Sequence, residues 1–317
     1  MSPPCQPFTS GGKRLDHQDV RSAGLLHIIK NILPNLKYPP KYIFLENVPN
    51  FEVSTCRDLL LECLLALGYK IDEFLISPID LGIPNDRKRY YLAASLADKD
   101  ENGNSNLKPY PLDDLSLIHR HPSSFNKRIP KSVPLKPLAD YMDASIDMQA
   151  DENQNLWVKE KDILKRNNFI FDCVQPASAK TSTFTKAYGS HHFFGSGSFL
   201  QTCFEPGLYH SLQNEKDNDW NDTKQVVENN SSEFLVKCKP RFFSPYEVAK
   251  LHDFPVDFDP QRDGMDGIQV YGFSFPEGIT NKQKWMLLGN SLNVAVVSCL
   301  LDELLFPQTL TPQQSNK

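Results

Sequence analysis

The sequence predicts an α/β fold in which helices cover both faces of one sheet. Residues 1–97 alternate between stretches with helical apolar spacing and short apolar runs, which is the pattern of a doubly wound sheet. Residues 241–306 return to helical spacing after a long interval in which neither pattern is sustained. We therefore expect one α/β domain whose chain is interrupted by a smaller second domain.

Two helices and three strands are expected in residues 1–97. Apolar residues recur at helical spacing over Arg21–Leu33 and over Cys56–Leu67, which Gly68 follows as a left-handed cap. Tyr42–Val48 is a continuous apolar run between prolines, which favours a buried parallel strand over a helix. Two further strands are expected over Tyr69–Ile76 and Arg89–Ser95.

The rest of the chain divides into three segments. Residues 98–155 are rich in Asp, Asn, Ser and Pro, so we expect an irregular insert. Residues 156–240 predict a small second domain, with a charged helix over Val158–Arg166. Its β-like pieces are Phe169–Cys173, Phe184–Tyr188 and Phe193–Gln201. Residues 241–317 predict helices that follow capping boxes at Ser244–Glu247 and Thr280–Gln283.

Composition narrows the class of protein. The 317 residues carry a net charge of −5 and contain no run near the roughly 18 apolar residues of a membrane span. Met1–Gln6 lacks the features of a signal peptide, so a cytoplasmic or nuclear location is expected. The seven cysteines are scattered without a C-x-x-C pair, which argues for free thiols and against a metal site. Proteins that grip duplex DNA usually carry a basic surplus, so a nucleic-acid target is expected to be compact.

Cys5 is the first candidate for chemistry. Prolines on both sides restrict its loop, and a loop thiol can meet a substrate where a core thiol cannot. The thiolate is the nucleophilic form, and a free thiol needs a cationic or hydrogen-bonding neighbour to reach it. The alternative is an ordinary thiol near a chain terminus.

Glu46, two arginines and a glycine turn are further candidates. Glu46 ends an apolar strand, where ligands bind in α/β sheets; a surface glutamate is the alternative. Arg87 and Arg89 alternate ahead of a strand, so both are expected on one side, clamping a phosphate or a pyrimidine carbonyl. A solvated strand edge would have the same pattern. Gly289–Ser291 is expected to open the last helix and offer amides to an anion, or to be only a cap.

The order of these motifs resembles that of the cytosine-carbon-5 methyltransferases. Pro3–Gln6, Glu46–Val48, Arg87–Arg89 and Leu288–Ser291 stand in that family's sequence and spacing. The finer resemblance is to the tRNA-methylating subgroup, the DNA methyltransferase homologue 2 type. The stretches that carry it are Met1–Thr9, Asp19–Ser22, Ser77–Pro78, Leu81–Asn85, Phe184–Lys186, Arg241–Phe243 and Leu287–Val294. It spans nearly the whole chain and weakens over 98–155 and 205–235.

This resemblance implies S-adenosylmethionine-dependent methylation of cytosine carbon 5 in a tRNA anticodon loop, with aspartate tRNA as the suggested substrate. It implies a Rossmann-like methyltransferase sheet, with 156–240 as the target-recognition region. Cys5 would be the nucleophile and Glu46 the proton donor to the ring, while Arg89 and Arg87 would position the base or the loop that holds the thiolate. The other implied contacts are Pro3, Asn290 and Ser291 for the cofactor, and Gln6, Phe184, Thr185 and Lys186 for the substrate.

Two features depart from the family pattern. The Phe-x-Gly-x-Gly loop that holds the methyl donor has no counterpart, so we expect the sheet to lack its first strands. The apolar stripe of the last helix would then lie in water, and the chain would bind the donor undetectably. That stripe is Val294, Val297, Leu301 and Leu304. In addition, Thr183 stands where the subgroup often has a cysteine.

Two alternatives stay open at this point. The first keeps the reaction and makes DNA the substrate, against which stand the short recognition region and the acidic charge. The second is a chain without catalytic activity, either a folded remnant that binds RNA or a truncated gene model. Methylation assays on tRNA and on DNA separate the first alternative from the favoured interpretation.

Overall fold

The computed structural model describes residues 1–9, 14–97, 110–124, 129–165, 172–190, 196–203, 232–257 and 272–305. Packing divides the chain into two compact units. The first is formed by Met1–Leu81, Lys88–Val133 and Val296–Lys317, and the second by Gly82–Arg87 and Pro134–Ala295. The functional division of the sequence at residues 97, 155 and 240 stays a prediction.

The first unit is built on a three-stranded sheet. Its strands are β1 (Tyr42–Asn47), β2 (Tyr69–Ile76) and β3 (Arg89–Leu96). All three strands were expected from the sequence. The order is β1-β3-β2, and β3 runs antiparallel to both of its neighbours. The parallel pairing predicted for β1 is therefore wrong within this sheet.

The other edge of β1 contacts the chain just before Cys5. The Met1 nitrogen donates to the Phe44 carbonyl, and the Glu46 N–H donates to the Met1 carbonyl at 3.0 Å. Met1 thus bonds to Phe44 and to Glu46, the two residues that flank Leu45, and this is the hydrogen-bond pattern of parallel strands. The segment that carries Cys5 therefore begins in register with the end of β1.

Helices cover one face of this sheet. The predicted helix at Arg21–Leu33 is formed by α1 (Ala23–His27), a π-helical turn at Ile28–Ile32 and a 3₁₀ turn at Leu33–Asn35. The second predicted helix is α2 (Thr55–Ala66), and Gly68 follows it with a φ of 86° as expected. Their apolar side chains pack on alternate residues of the strands. This core includes Leu25, Ile29, Ile43, Leu45, Leu60, Leu64, Ile71 and Leu92.

A buried ionic cluster lies within the same layer. Glu73 of β2 is fully buried and accepts from Arg57 Nε at 2.8 Å and Nη2 at 2.7 Å. The Tyr90 and Tyr110 hydroxyls also donate to its carboxylate, at 2.5 and 2.7 Å. Burial and the neighbouring Glu73 carboxylate raise the pKa of both tyrosines, which therefore stay protonated donors.

The last helix covers the opposite face of the sheet. Helix α7 (Val294–Leu305) buries Val296 and Leu300 to 1% and 0% exposure. They pack on Phe74, Ile76, Tyr91 and Ala93, which belong to β2 and β3. The expectation that this helix is left without strands to pack on is therefore wrong, because alternate residues of β2 and β3 supply an apolar surface. Val297 and Leu301 of the predicted stripe lie partly buried beside it, and the Leu304 side chain lies outside the described residues.

The second unit has a small sheet and four described helices. Its strands are β4 (Cys173–Val174), β5 (Phe199–Leu200) and β6 (Arg241–Phe242), in that order, with β4–β5 parallel and β5–β6 antiparallel. Its helices are α3 (Glu160–Leu164), α4 (Ser232–Lys237), α5 (Pro245–Leu251) and α6 (Asn281–Gly289). Both predicted capping boxes are confirmed, at the starts of α5 and α6.

One predicted β-like piece of the second unit is a turn. Phe184–Tyr188 forms no strand, because the Tyr188 N–H bonds to the Thr185 carbonyl at 2.9 Å and closes the backbone locally. The Tyr188 hydroxyl donates to the Ser198 carbonyl at 2.6 Å, and its ring lies 5.3 Å from that of Trp285. The turn thus anchors the aromatic core. Residues 166–171 and 191–195, which hold parts of the other predicted pieces, lie outside the described residues.

One described stretch has the length and composition of a membrane span. It is Asn281–Asp302, 22 residues that include an 18-residue window with a mean hydropathy of 1.4. It is not one continuous helix, since α6 ends at Gly289 and α7 begins at Val294. Core helices have the same composition, and Trp285, Leu288, Val296 and Leu300 are buried, so this stretch is weak support for a membrane span.

Candidate active site

Glu46 is held in place by two neighbours at the end of β1. The Ser2 hydroxyl donates to its Oε2 at 2.9 Å, and Arg89 Nε lies 3.5 Å from its Oε1. Glu46 is opposite Tyr91 in the β1–β3 register, so Arg89, two residues before Tyr91, projects from the same face. Sheet pairing therefore brings together two residues that the sequence predicted separately. The Ser2 contact was missed, although this serine lies only three residues before Cys5.

Cys5 begins a tight turn just beyond Ser2. The Phe8 N–H donates to the Cys5 carbonyl at 2.9 Å, and the thiol is partly buried. Because Ser2 contacts Glu46 directly, Cys5 follows the carboxylate's anchor by only three residues. Pro3 lies between them and is also partly buried. The predicted nucleophile and the predicted acid therefore share one neighbourhood of the first unit.

Buried polar atoms nearby have no partner in the described part of the chain. They are Gln6 Oε1 in the Cys5 turn and Asn47 Nδ2 beside Glu46. A buried amide without a hydrogen bond costs about 1–3 kcal/mol, and such groups in a folded protein call for an explanation. A bound molecule that offers both a donor and an acceptor would satisfy them, so these atoms fit a ligand site.

Two other cysteines of the first unit, Cys56 and Cys63 on α2, are suited to packing and not to catalysis. Burial and the adjacent Asp16 raise the pKa of the Cys56 thiol to about 12, and burial raises that of Cys63. Both thiols therefore stay protonated and weakly nucleophilic near neutral pH. Arg21, by contrast, is close enough to Cys5 for their charges to interact, and the adjacent Asp19 and the Cys5 thiol both help to raise the pKa of this guanidinium.

Arg87 belongs to the second unit and is surrounded by backbone carbonyls. Its Nη1 donates to the Phe184 carbonyl at 2.9 Å, and its Nη2 donates to those of Gly289 and Ser291 at 3.2 and 2.6 Å. The strand alternation that was expected to place Arg87 and Arg89 on one side does not reach Arg87, because β3 begins only at Arg89. Arg87 is 3% exposed, and its contacts favour a role in positioning the loops that it joins.

Two groups of predicted binding residues meet at Gly289. A Cβ there would lie 2.1 Å from the Lys186 nitrogen and 2.2 Å from the Thr185 carbonyl carbon, so only glycine fits. Lys186 is exposed and available to a phosphate. Phe184 is 1% exposed and packs edge-on against Tyr188 at 4.9 Å, so its side chain belongs to the core.

Asn290 and Ser291 follow helix α6 and do not open the last helix. Their N–H groups bond to carbonyls of α6, Asn290 to Met286 at 3.2 Å and Ser291 to Leu288 at 2.9 Å. The expected anion site at a helix N-terminus is therefore wrong, since these amides close a C-terminus. Within the described residues no hydrogen bond occupies the Asn290 side-chain amide, which fits a polar group of S-adenosylmethionine. None of the described residues forms a group able to hold a metal ion.

Comparison with known proteins places the chain in a family of methyltransferases. The profile of the family described as C-5 cytosine-specific DNA methylase matches residues 1–305. The chain therefore belongs to the cytosine-carbon-5 methyltransferases, a family of enzymes that take their methyl group from S-adenosylmethionine. The resemblance inferred from the motifs, the Rossmann-like methyltransferase fold and the enzyme class are confirmed.

Similar proteins narrow the placement within the family. The chain is 34% identical to the human tRNA (cytosine(38)-C(5))-methyltransferase, over 95% of this chain and 80% of that protein. It is 31% identical to a Dictyostelium discoideum protein named DNA (cytosine-5)-methyltransferase, over 97% and 76%. It also superposes on the crystal structure of the S. pombe Dnmt2 methyltransferase with a TM-score of 0.64 and 29% identity, covering 97% of this chain and 76% of that one.

Proposed function

We propose that this chain methylates carbon 5 of a cytosine in the anticodon loop of a tRNA. The observation that carries the proposal is the position of the Glu46 carboxylate, which is fixed between Ser2 and Arg89. Ser2 belongs to the segment that bears Cys5, so the predicted acid and the predicted nucleophile are held close together. The similar proteins named as tRNA cytosine-38 methyltransferases support RNA as the substrate. The net charge of −5 also favours a compact target over long duplex DNA.

The residues of the first unit suit the steps that cytosine methylation needs. Carbon 5 of cytosine is a poor nucleophile, so the Cys5 thiolate first adds to carbon 6. Glu46 delivers a proton to the ring nitrogen and thereby stabilises the charge that develops. Arg89, which pairs with Glu46, keeps this carboxylate and the base aligned. S-adenosylmethionine, when bound, supplies the methyl group. A base then removes the proton from carbon 5, and the electrons of that bond expel Cys5.

Two residues of the second unit are proposed to contact the tRNA and the cofactor. Lys186 is exposed for a backbone phosphate, and Asn290 offers its side-chain amide to the methyl donor. A target base must leave its stack before it reaches a buried carboxylate, which costs least in a loop or a single strand. An anticodon loop meets this condition, and aspartate tRNA is the proposed member of the class.

Substitution of Cys5 and Glu46 tests the reaction. Cys5→Ala should abolish methyl transfer to tRNA, and the covalent adduct with RNA that contains 5-fluorocytosine should disappear with it. Cys63→Ala is the matched control, because this partly buried thiol of α2 packs against the core and its loss should leave the adduct unchanged. Glu46→Gln should slow the single-turnover rate by about 10²–10⁴-fold with little change in RNA affinity. An adduct that persists in Cys5→Ala would refute the assignment.

The choice of substrate is tested separately. Initial rates on tRNA transcripts, including aspartate tRNA, are compared with rates on duplex DNA of matched length and cytosine content. The proposal expects transfer to tRNA at the anticodon loop and a much lower rate on the duplex. Preferred methylation of the duplex would instead favour the DNA-methylating function named for the Dictyostelium relative.

A further inference from the structure

The turn that carries Cys5 has little internal support. Its one internal backbone bond joins the Phe8 N–H to the Cys5 carbonyl, and a nucleophile needs a fixed direction of approach to its target. The contacts that Phe8 makes with the rest of the first unit lie at the end of the turn opposite Cys5. Phe8 is buried edge-on against Phe51 with centroids 4.9 Å apart, and Asn50 Nδ2 donates to the Phe8 carbonyl at 3.3 Å.

Asp16 contacts the turn one residue closer to Cys5 in the sequence than Phe8 does. Its backbone N–H donates to the Pro7 carbonyl at 3.4 Å. Its carboxylate accepts from the N–H groups of Thr55 at 2.6 Å and Cys56 at 3.2 Å, in the first turn of α2. One residue therefore bonds to the Cys5 turn through its backbone and to α2 through its side chain.

The backbone of Asp16 is shaped for this double contact. Its φ is 50°, in the left-handed region that aspartate tolerates better than most residues. The Asp16 carbonyl accepts from the Ser22 hydroxyl at 2.7 Å and from the Asp19 N–H at 3.1 Å. These bonds also fix the segment of Arg21, the cation whose charge interacts with Cys5.

Helix α2 gives Asp16 a rigid base. Ser54 caps the helix by accepting from the Arg57 N–H at 3.1 Å, and Asp16 satisfies two further N–H groups of the same first turn, those of Thr55 and Cys56. Leu60 and Leu64 are fully buried, and Arg57 is locked to the buried Glu73. Burial opposes ionisation of Asp16, but the Thr55 and Cys56 N–H groups outweigh it and lower the pKa of the carboxyl, which is therefore charged at neutral pH.

We propose that Asp16 is a positioning residue for methyl transfer, which holds the Cys5 turn against the first turn of α2. The proposal rests on the proposed function, in which Cys5 is the nucleophile. In this role Asp16 acts through its bond to the Pro7 carbonyl on the direction of the thiol, without a need to touch the base or the cofactor. Its loss should therefore slow the attack of Cys5 while RNA binding stays unchanged.

Tritium release from cytosine labelled at carbon 5 measures the attack directly. Addition of the Cys5 thiolate to carbon 6 lets carbon 5 take a proton from water, and loss of the tritium followed by elimination of the thiolate returns cytosine. This exchange needs no methyl donor. It is measured with the 317-residue protein and labelled tRNA, alongside RNA affinity and thermal unfolding, at a temperature where each variant is folded.

Three variants distinguish positioning from simple stability. Asp16→Ala should slow tritium release on the order of 10- to 100-fold, with RNA affinity unchanged. Asp16→Asn keeps one oxygen acceptor and should fall between that variant and the parent. Asp58→Asn is the control, since this half-exposed carboxylate lies in the same turn of α2 and bonds to Arg57, away from the Cys5 turn. It should release tritium at the parent rate.

The outcomes separate this inference from the function on which it rests. Parental rates in folded Asp16→Ala would overturn it, and if that variant fails to fold, a parental rate in Asp16→Asn has the same meaning. A rate lost only together with RNA affinity would also overturn it. If the parent releases tritium and Cys5→Ala does not, the proposed function stands whatever Asp16 does. A parent that releases none would overturn both.

Discussion

Replacement of Glu73 by glutamine should destabilise the first unit strongly. Glu73 is fully buried and accepts four hydrogen bonds, two of them from Arg57, which is itself only 2% exposed. The substitution keeps the shape but leaves the Arg57 charge buried, with only the half-exposed Asp58 as a carboxylate partner. Removing one partner of such a pair costs about 3–5 kcal/mol, a large share of the net stability of a domain.

Urea denaturation followed by circular dichroism measures this loss. The matched control is Asp72→Asn, the neighbouring carboxylate on β2, which is partly exposed and pairs with Lys70 and His119 only at 3.7 and 3.8 Å. It should change stability by no more than about 1 kcal/mol. Removal of both charges in Arg57→Met with Glu73→Met should recover part of the loss. A Glu73→Gln protein as stable as the control would refute the reasoning.

Three further outcomes are expected. Leu300→Ala should lose about 2–5 kcal/mol of unfolding free energy in the same assay, whereas Ser298→Ala on the exposed side of α7 should lose almost none. Ser2→Ala should slow single-turnover methylation by about tenfold without weakening RNA binding, because one charge-assisted bond to Glu46 is lost; an unchanged rate would exclude this role. The pKa of Asp16 lies below its ordinary value of 3.8, so its stabilisation is complete above that value and is lost as pH falls through the folded-state pKa. Acid unfolding should therefore show the parent's advantage over Asp16→Asn shrinking below about pH 4, and an advantage independent of pH would contradict this.

Local chemistry made much of the fold predictable. Gly68 marked the end of α2, the Ser244 and Thr280 capping boxes marked two helix starts, and a continuous apolar run marked β1. These signals depend on residues within a few positions of each other. The position of Glu46 at a strand end was predictable for the same reason.

Pairing between distant segments was not predictable in the same way. The direction of β3 depends on its pairing with β1, which joins residues 43 to 53 positions apart, and with β2, which joins residues 13 to 27 positions apart. An apolar run by itself does not specify the direction of pairing. Arg87 and Arg89 share a local pattern, but only the fold places one among backbone carbonyls and the other beside Glu46. The role of Asp16 depends on a bond to Thr55 that no spacing rule reveals.

The strand order has a consequence for synthesis on the ribosome. β1 ends at Asn47, but its partner β3 begins only at Arg89. At the usual 5–20 residues per second, β1 therefore waits roughly 2–8 s for its partner. The outer face of β2 and β3 waits longer, because α7 begins at Val294 and emerges roughly 10–40 s after β3. The nascent chain thus exposes Phe74, Ile76 and Tyr91 until α7 has been synthesised, and this surface is where a chaperone would be needed first.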